Sequence, residues 1–218
     1  MPRPLAAALL PVLILLPPLA RHPVFGQGTT PGQLQNWVSA HDIGAIKSLG
    51  QPVLPKLVAL YEASTDEGLK ARVAQTLYEL SWKSPEAKRA LMKDVHTANP
   101  DLRLQVQWAL GRVSNDQDVV ETLLANMRTD SNPLFRDKAA CALANDQVHL
   151  SEPQKVRLYE ALIDALRDDK VDVRSIALQA LSIHTGQTKG FNPNGSLPER
   201  EQKIRVWKRW LEEYTSGL

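Results

Sequence analysis

Val173-Arg174-Ser175-Ile176-Ala177-Leu178-Gln179-Ala180-Leu181 is the stretch whose reading decides the fold. Small and apolar residues fall three, six and seven positions after the arginine, which is one stripe of an α-helix. The same cassette, an apolar residue followed by a cation, stands at Leu69-Lys70, Leu102-Arg103 and Phe135-Arg136, with the four cations spaced 33, 33 and 38 residues apart. The same stripe follows each one: Val73/Thr76/Leu77, Val106/Ala109/Leu110, Ala139/Ala142/Leu143 and Ala177/Ala180/Leu181. A period in the thirties with helical spacing inside it means stacked helix pairs, because a single pair cannot bury its own apolar face.

The punctuation agrees. Asn99-Pro100 and Asn132-Pro133 open two cassettes and Asp66 opens the first, each placing a side-chain acceptor at a helix N-cap, with proline next where no amide hydrogen is needed. Val58, Leu91, Leu124 and Leu162 each lie twelve residues before a cation and mark a preceding helix; Ser84-Pro85 and Ser151-Glu152-Pro153 begin two of these. Each unit therefore reads as helix A, a short turn and helix B.

At these residues the chain resembles the HEAT-repeat family, in particular the short bacterial repeats named after phycobilisome-lyase HEAT-like proteins. Residues 173–181 match the family's V-R-x-x-A-x-x-A-L helix B, with weaker copies at 102–110 and 135–143. The first copy departs from it, with Lys70 for arginine and Thr76 for alanine. The resemblance covers about residues 50–185 and implies an all-α superhelix, right-handed, of about four helix pairs. It implies little about chemistry, since one fold hosts many functions.

Residues 1–26 read as a secretory signal: Arg3 near the start, an apolar run from Leu5 to Ala20, and small residues suited to cleavage after Ala20 or Gly26. The run holds Pro11, Pro17 and Pro18 and falls short of the roughly 20 apolar residues of a membrane span, so no stable anchor is expected after cleavage. No cysteine follows it, which removes the bacterial lipid-anchoring signal. The expected location is periplasmic or secreted. Without Arg3 and Arg21 the remaining chain has 24 basic residues against 24 acidic ones, so it lacks the cationic excess a nucleic-acid groove needs.

Cys141 is the only cysteine, so no internal disulfide forms; it lies in Ala139-Ala140-Cys141-Ala142 and reads as a small group packed between helices. His41, His96, His149 and His184 are scattered, with no His-Glu pair and no i,i+4 partner, so no metal is expected. One HEAT-repeat enzyme family, the deoxyhypusine hydroxylases, holds iron through repeated His-Glu pairs, and this chain has none. Neither a phosphate loop, a nucleophile elbow nor a paired-carboxylate motif stands out. No cofactor and no catalytic residue are assigned.

If the third, sixth, seventh and tenth residues after each cation face the core, then the first, fifth, eighth and twelfth face away and should be polar. In the first two units they read Ala71, Gln75, Tyr78 and Trp82, then Leu104, Trp108, Gly111 and Asn115; in the last two, Asp137, Cys141, Ala144 and Val148, then Ser175, Gln179, Ser182 and Gly186. The resemblance puts the B helices on the concave face. There Tyr78, Trp82, Leu104 and Trp108 form an aromatic patch suited to a peptide, a partner helix or a glycan, unless Leu34, Trp37, Val38, Ile43 and Ile46 fold back over it. Lys70, Arg103, Arg136 and Arg174, with Asp101 and Asp172 two residues before two of them, read as a ladder setting the register of the stack.

Helical segments at 27–50 and 185–218 read as caps flanking repeats at 51–184. Thr30-Pro31 and Asp42 start helices in the first, and Gly50 closes it. In the second, a turn-rich loop leads to Ser196-Leu197-Pro198-Glu199, a capping box, and a final helix with Ile204, Trp207, Leu211 and Tyr214 on one stripe and Trp210 beside it. This tail resembles the end of exported bacterial HEAT proteins, which carry a G-aromatic-D-P turn and a helix with one arginine and two tryptophans. Arg200, Trp207 and Trp210 match, Asn192 stands in place of the aspartate, and Phe191 with the tryptophans would seal the last repeat.

The function expected is a non-catalytic, monomeric adaptor binding a protein or peptide on the B-helix face. The alternatives are a lyase-like or enzyme-accessory role, which needs clustered titratable groups, and structural self-association.

Overall fold

The computed structural model describes residues 29–146 and 150–218, so the expected leader, Val148 and His149 lie outside the described residues. Eleven α-helices occur among the described residues, with no strand: α1 (Pro31–Ser39), α2 (Ile43–Ser48), α3 (Leu54–Ala63), α4 (Glu67–Leu80), α5 (Pro85–Met92), α6 (Pro100–Val113), α7 (Gln117–Thr129), α8 (Pro133–Asn145), α9 (Glu152–Ala165), α10 (Val171–Thr185) and α11 (Leu197–Ser216). The helix starts are fixed locally. The side chains of Thr30, Asp42, Asp66, Ser84, Asn99 and Asn132 each accept an amide hydrogen of the first turn, and Ser151 and Ser196 form capping boxes with Gln154 and Glu199. No helix of the described residues is long and apolar enough to cross a membrane.

The helices pair as α3–α4, α5–α6, α7–α8 and α9–α10. The A helices pack on one another at α3–α5 and α7–α9, while the B helices form a continuous row α4–α6–α8–α10. The result is an all-α, two-layer solenoid. The core lies between the layers: none of the twelve stripe residues, from Val73 to Leu181, is more than 1% exposed. Thr76, the departure in the first repeat, is buried too, and its hydroxyl is satisfied by donating to the Arg72 carbonyl at 2.9 Å.

The repeated cations lock this stack, with different acids from those adjacent in sequence. Lys70 pairs with Asp94, Arg103 with Asp130 and Arg136 with Asp168. In each case a B helix reaches the A–B turn of the following repeat. Asp101 and Asp172 lie exposed on the first turns of α6 and α10, where a carboxylate complements the helix N-terminus but faces away from the stack. Arg174 has no carboxylate in the rung position and donates to the carbonyls of Asp168, Asp169 and Pro193. On the A side a second set of ion pairs joins neighbours: Glu62–Lys93, Lys88–Asp116, Glu121–Arg157 and Arg167–Glu201.

At the ends, α1 and α2 pack on α4, with α1 also reaching α3, and bury Leu34, Val38 and Ile46. α11 covers α9 in the antiparallel sense, its start tied to Arg167 through Glu201 and its end to Glu152 through Tyr214. Phe191 and Trp207 are buried there, while Trp210 is half-buried between Tyr159 and Tyr214, at 5.4 Å from each ring centre.

Candidate partner-binding face

The B helices approach closely because small residues line their contacts. A Cβ on Gly111 of α6 would lie 3.0 Å from the Asp146 Cβ and 3.3 Å from that of Ala142 on α8. This corrects the expected polar face: Gly111 and Ala144, eight residues after their cations, are buried between helices. At about 100° per residue, the eighth position is rotated only about 40° from the fourth, which is buried at Ala74, Gln107 and Ala140. Ala71 is buried as well.

What stays open is a row of rings. Tyr78, Trp82, Leu104 and Trp108 are all half-buried, with the three aromatics packed against the core from outside. The Tyr78 and Trp108 rings sit 6.0 Å apart, tilted by 33°. The amino-terminal helices do not close over this row; they bury their own apolar residues against α3 and α4 and leave all four partly exposed.

Arg112, which sequence reasoning passed over, organises the row. Its Nε donates to Asp146, its Nη1 to the Ser81 hydroxyl at 2.8 Å and its Nη2 to the Tyr78 hydroxyl at 3.2 Å, so one guanidinium ties together α6 and residues just beyond α8 and α4. The same guanidinium lies over the Tyr78 ring, 4.6 Å from its centre. Ser81 can serve because it ends α4 in the left-handed region, φ 57°, turning its hydroxyl towards α6. Burial pushes the Asp146 carboxyl above the ordinary carboxylate range against the opposing pull of Arg112. Nearby, burial lowers the Lys83 ammonium, partly offset by Asp146 and Asp116. On α8, Lys138 stands 6.0 Å above the Trp108 ring and bonds Asp137 at 2.7 Å.

Residues 41–144 match the family model for HEAT repeats. This stretch is similar to HEAT repeats. No curated protein matches the chain in sequence. The aromatic row and the Arg112 contacts to Tyr78 and Ser81 fall within the matched stretch, with Asp146 just beyond. Cys141 is half-buried in the last matched helix; burial raises its thiol and Asn145 donates to its sulfur at 3.4 Å, an unreactive setting. Among the described residues no group of three or more His, Cys, Asp or Glu is placed to hold a metal ion.

Arg112 escaped the sequence because it follows no period. The ninth residue after each cation reads Glu79, Arg112, Asn145 and Ile183. The signal that could have found it is Gly111, a glycine inside a helical pattern, which marks a close approach to another element.

Proposed function

We propose that the chain is a non-catalytic, exported and monomeric adaptor that holds a protein or peptide segment on its B-helix face. Tyr78, Trp82, Leu104 and Trp108 are the anchors. The observation that carries this reading is the half-buried Tyr78–Trp108 pair, braced by Arg112 and Lys138 and left open to solvent on adjacent B helices. Rings held rigid on one side and open on the other bury large area on binding at little entropic cost. HEAT repeats commonly serve as protein-interaction scaffolds, which supports the same class of function.

The test is a pull-down from an envelope or secreted fraction with tagged protein beside a Trp108→Ser variant of equal helicity. The expected result is a partner captured by the parent and lost by the variant. Equal capture by both moves the site off this face. Sequencing the amino terminus of protein recovered from the same fractions tests export, which predicts a start after Ala20 or Gly26.

A further inference from the structure

We infer that the segment held on this face is acidic as well as apolar, with carboxylates seated on Arg112 and Lys138 and apolar side chains against Leu104 and Trp108. This rests on the adaptor reading and adds the chemistry of the partner.

The argument is one of accessible charge. Among the charged groups along the row, Asp146 is spent: its side chain is 2% exposed and faces Arg112. Glu79 accepts from Gln75 at 3.1 Å and lies 3.2 Å from His41. Asp137 is occupied by Lys138. Glu79 is 30% exposed, Asp137 18% and Asp146 2%, so the row offers one partly open carboxylate, and the cations outnumber it. The side chain of Arg112 is 35% exposed and that of Lys138 is 28% exposed, and Lys83, which feels the charges of Arg112 and Asp146, lies exposed as well. A partner therefore meets more cations than open carboxylates.

The donors also have capacity left. A guanidinium carries five hydrogens; the bonds to Asp146, Ser81 and Tyr78 use three, leaving one on each Nη. Lys138 bonds one carboxylate and has three hydrogens. Both cations already cover the ring faces, so an incoming aromatic ring cannot stack there without displacing them, whereas a carboxylate adds to each cation and leaves it over its ring. The apolar part of the partner is directed to what the cations leave uncovered, Leu104 and the rim of Trp108. Three neighbouring helices at about 9 Å spacing span about 18 Å, the length of a helix of about 12 residues.

The experiment is fluorescence anisotropy of the full chain against an array of labelled peptides of about 12 residues. They carry Leu, Phe or Trp at every third or fourth position, with Glu, Gln or Lys between. The Glu series is expected to bind about tenfold more tightly than the Gln series at low salt, the gap closing at high salt, and the Lys series least. Lys138→Gln is expected to shrink the preference for Glu over Gln several-fold. The double variant Arg112→Gln/Asp146→Asn, which removes both members of the pair and strands no buried charge, should do the same. Trp108→Ser should weaken both series alike. Equal binding of the Glu and Gln series, lost in Trp108→Ser, overturns the acidic partner and leaves the adaptor reading standing. Binding indifferent to Trp108→Ser, or absent throughout the array, overturns both.

Discussion

Arg136 and Asp168 join the third repeat to the fourth through two parallel hydrogen bonds, Nε to Oδ2 at 2.7 Å and Nη2 to Oδ1 at 2.9 Å. The same guanidinium donates from Nη1 to the Asp130 carbonyl of its own repeat's turn at 2.8 Å, so it spans two consecutive turns. Arg174, one repeat on, keeps the inner half of this arrangement on the Asp168 carbonyl at 2.7 Å and meets the Pro193 carbonyl in place of a carboxylate. The loop ahead of α11 copies the turn: the Asn192 side chain accepts from the Asn194 amide at 3.0 Å, as Asp168 accepts from Lys170 at 2.9 Å. The solenoid thus ends on an imitation of a fifth turn with an amide in the acid's position.

Asn192→Asp should restore the missing rung. One carboxylate oxygen keeps the turn hydrogen bond and the other becomes available to Arg174, as in Asp168. A charge-assisted bond at a largely buried guanidinium is worth about 1 kcal/mol over its neutral counterpart, so the urea midpoint should rise, and Arg174→Met in the same background should cancel the gain. An unchanged or lower midpoint in Asn192→Asp would falsify the rung assignment.

His184 sets a pH dependence. Its Nε2 lies 3.2 Å from the Leu143 carbonyl, tying α10 to α8, and burial holds its pKa below the ordinary histidine value. The unfolded chain therefore takes up the proton first, so stability is fully present above about pH 6.5 and is lost as pH falls from there through the folded pKa. Urea midpoints at pH 8 and pH 5 should differ more for the parent than for His184→Gln, which keeps a donor and has no charge to gain. Parallel pH profiles for the two proteins would rule His184 out as the source.

How far the sequence could be read divides at the range of the forces involved. The caps at Asn99, Asn132 and Asp66 and the stripes ending at Leu77, Leu110, Leu143 and Leu181 are settled within a turn or two of helix, so spacing alone exposes them. The partners of the ladder are not local. Asp94, Asp130 and Asp168 stand 24, 27 and 32 residues beyond their cations, an offset that varies with each turn, whereas Asp101 and Asp172 sit close by in sequence and on the wrong side of the helix. Likewise the aromatic row was visible as residue types, but the Arg112 bonds to Tyr78, Ser81 and Asp146 come from the closeness of three successive B helices, which depends on Gly111.

Gly111→Ala should measure that closeness. The new methyl would meet the Asp146 and Ala142 Cβ atoms at 3.0 and 3.3 Å, so α6 and α8 must part or shift, at about 1–3 kcal/mol typical of overpacking. Gly32→Ala in α1, with nothing within 4 Å, should instead gain up to about 1 kcal/mol from helix propensity. Comparable urea midpoints for the two variants would mean that the α6–α8 contact is looser than 3 Å geometry requires.

Removing residues 196–218 should destroy cooperative unfolding, because α11 is the only helix of the described residues that packs on the outer side of α9. Trp207 and Ile204, both fully buried, leave with it, and Tyr159 loses the Trp210 and Tyr214 rings at 5.4 and 5.5 Å. An aromatic side chain and an isoleucine of this burial contribute roughly 2–3 kcal/mol each. The apolar side of α9 that they cover would then face water at the end of the stack, where a solenoid needs a polar cap to stay soluble. The truncated chain should aggregate or melt broadly by circular dichroism, while Trp210→Phe, which keeps a ring in the cluster, should melt in one sharp transition. A soluble truncation with the parent's midpoint and slope would show that α9 needs no cover and that α11 serves something other than stability.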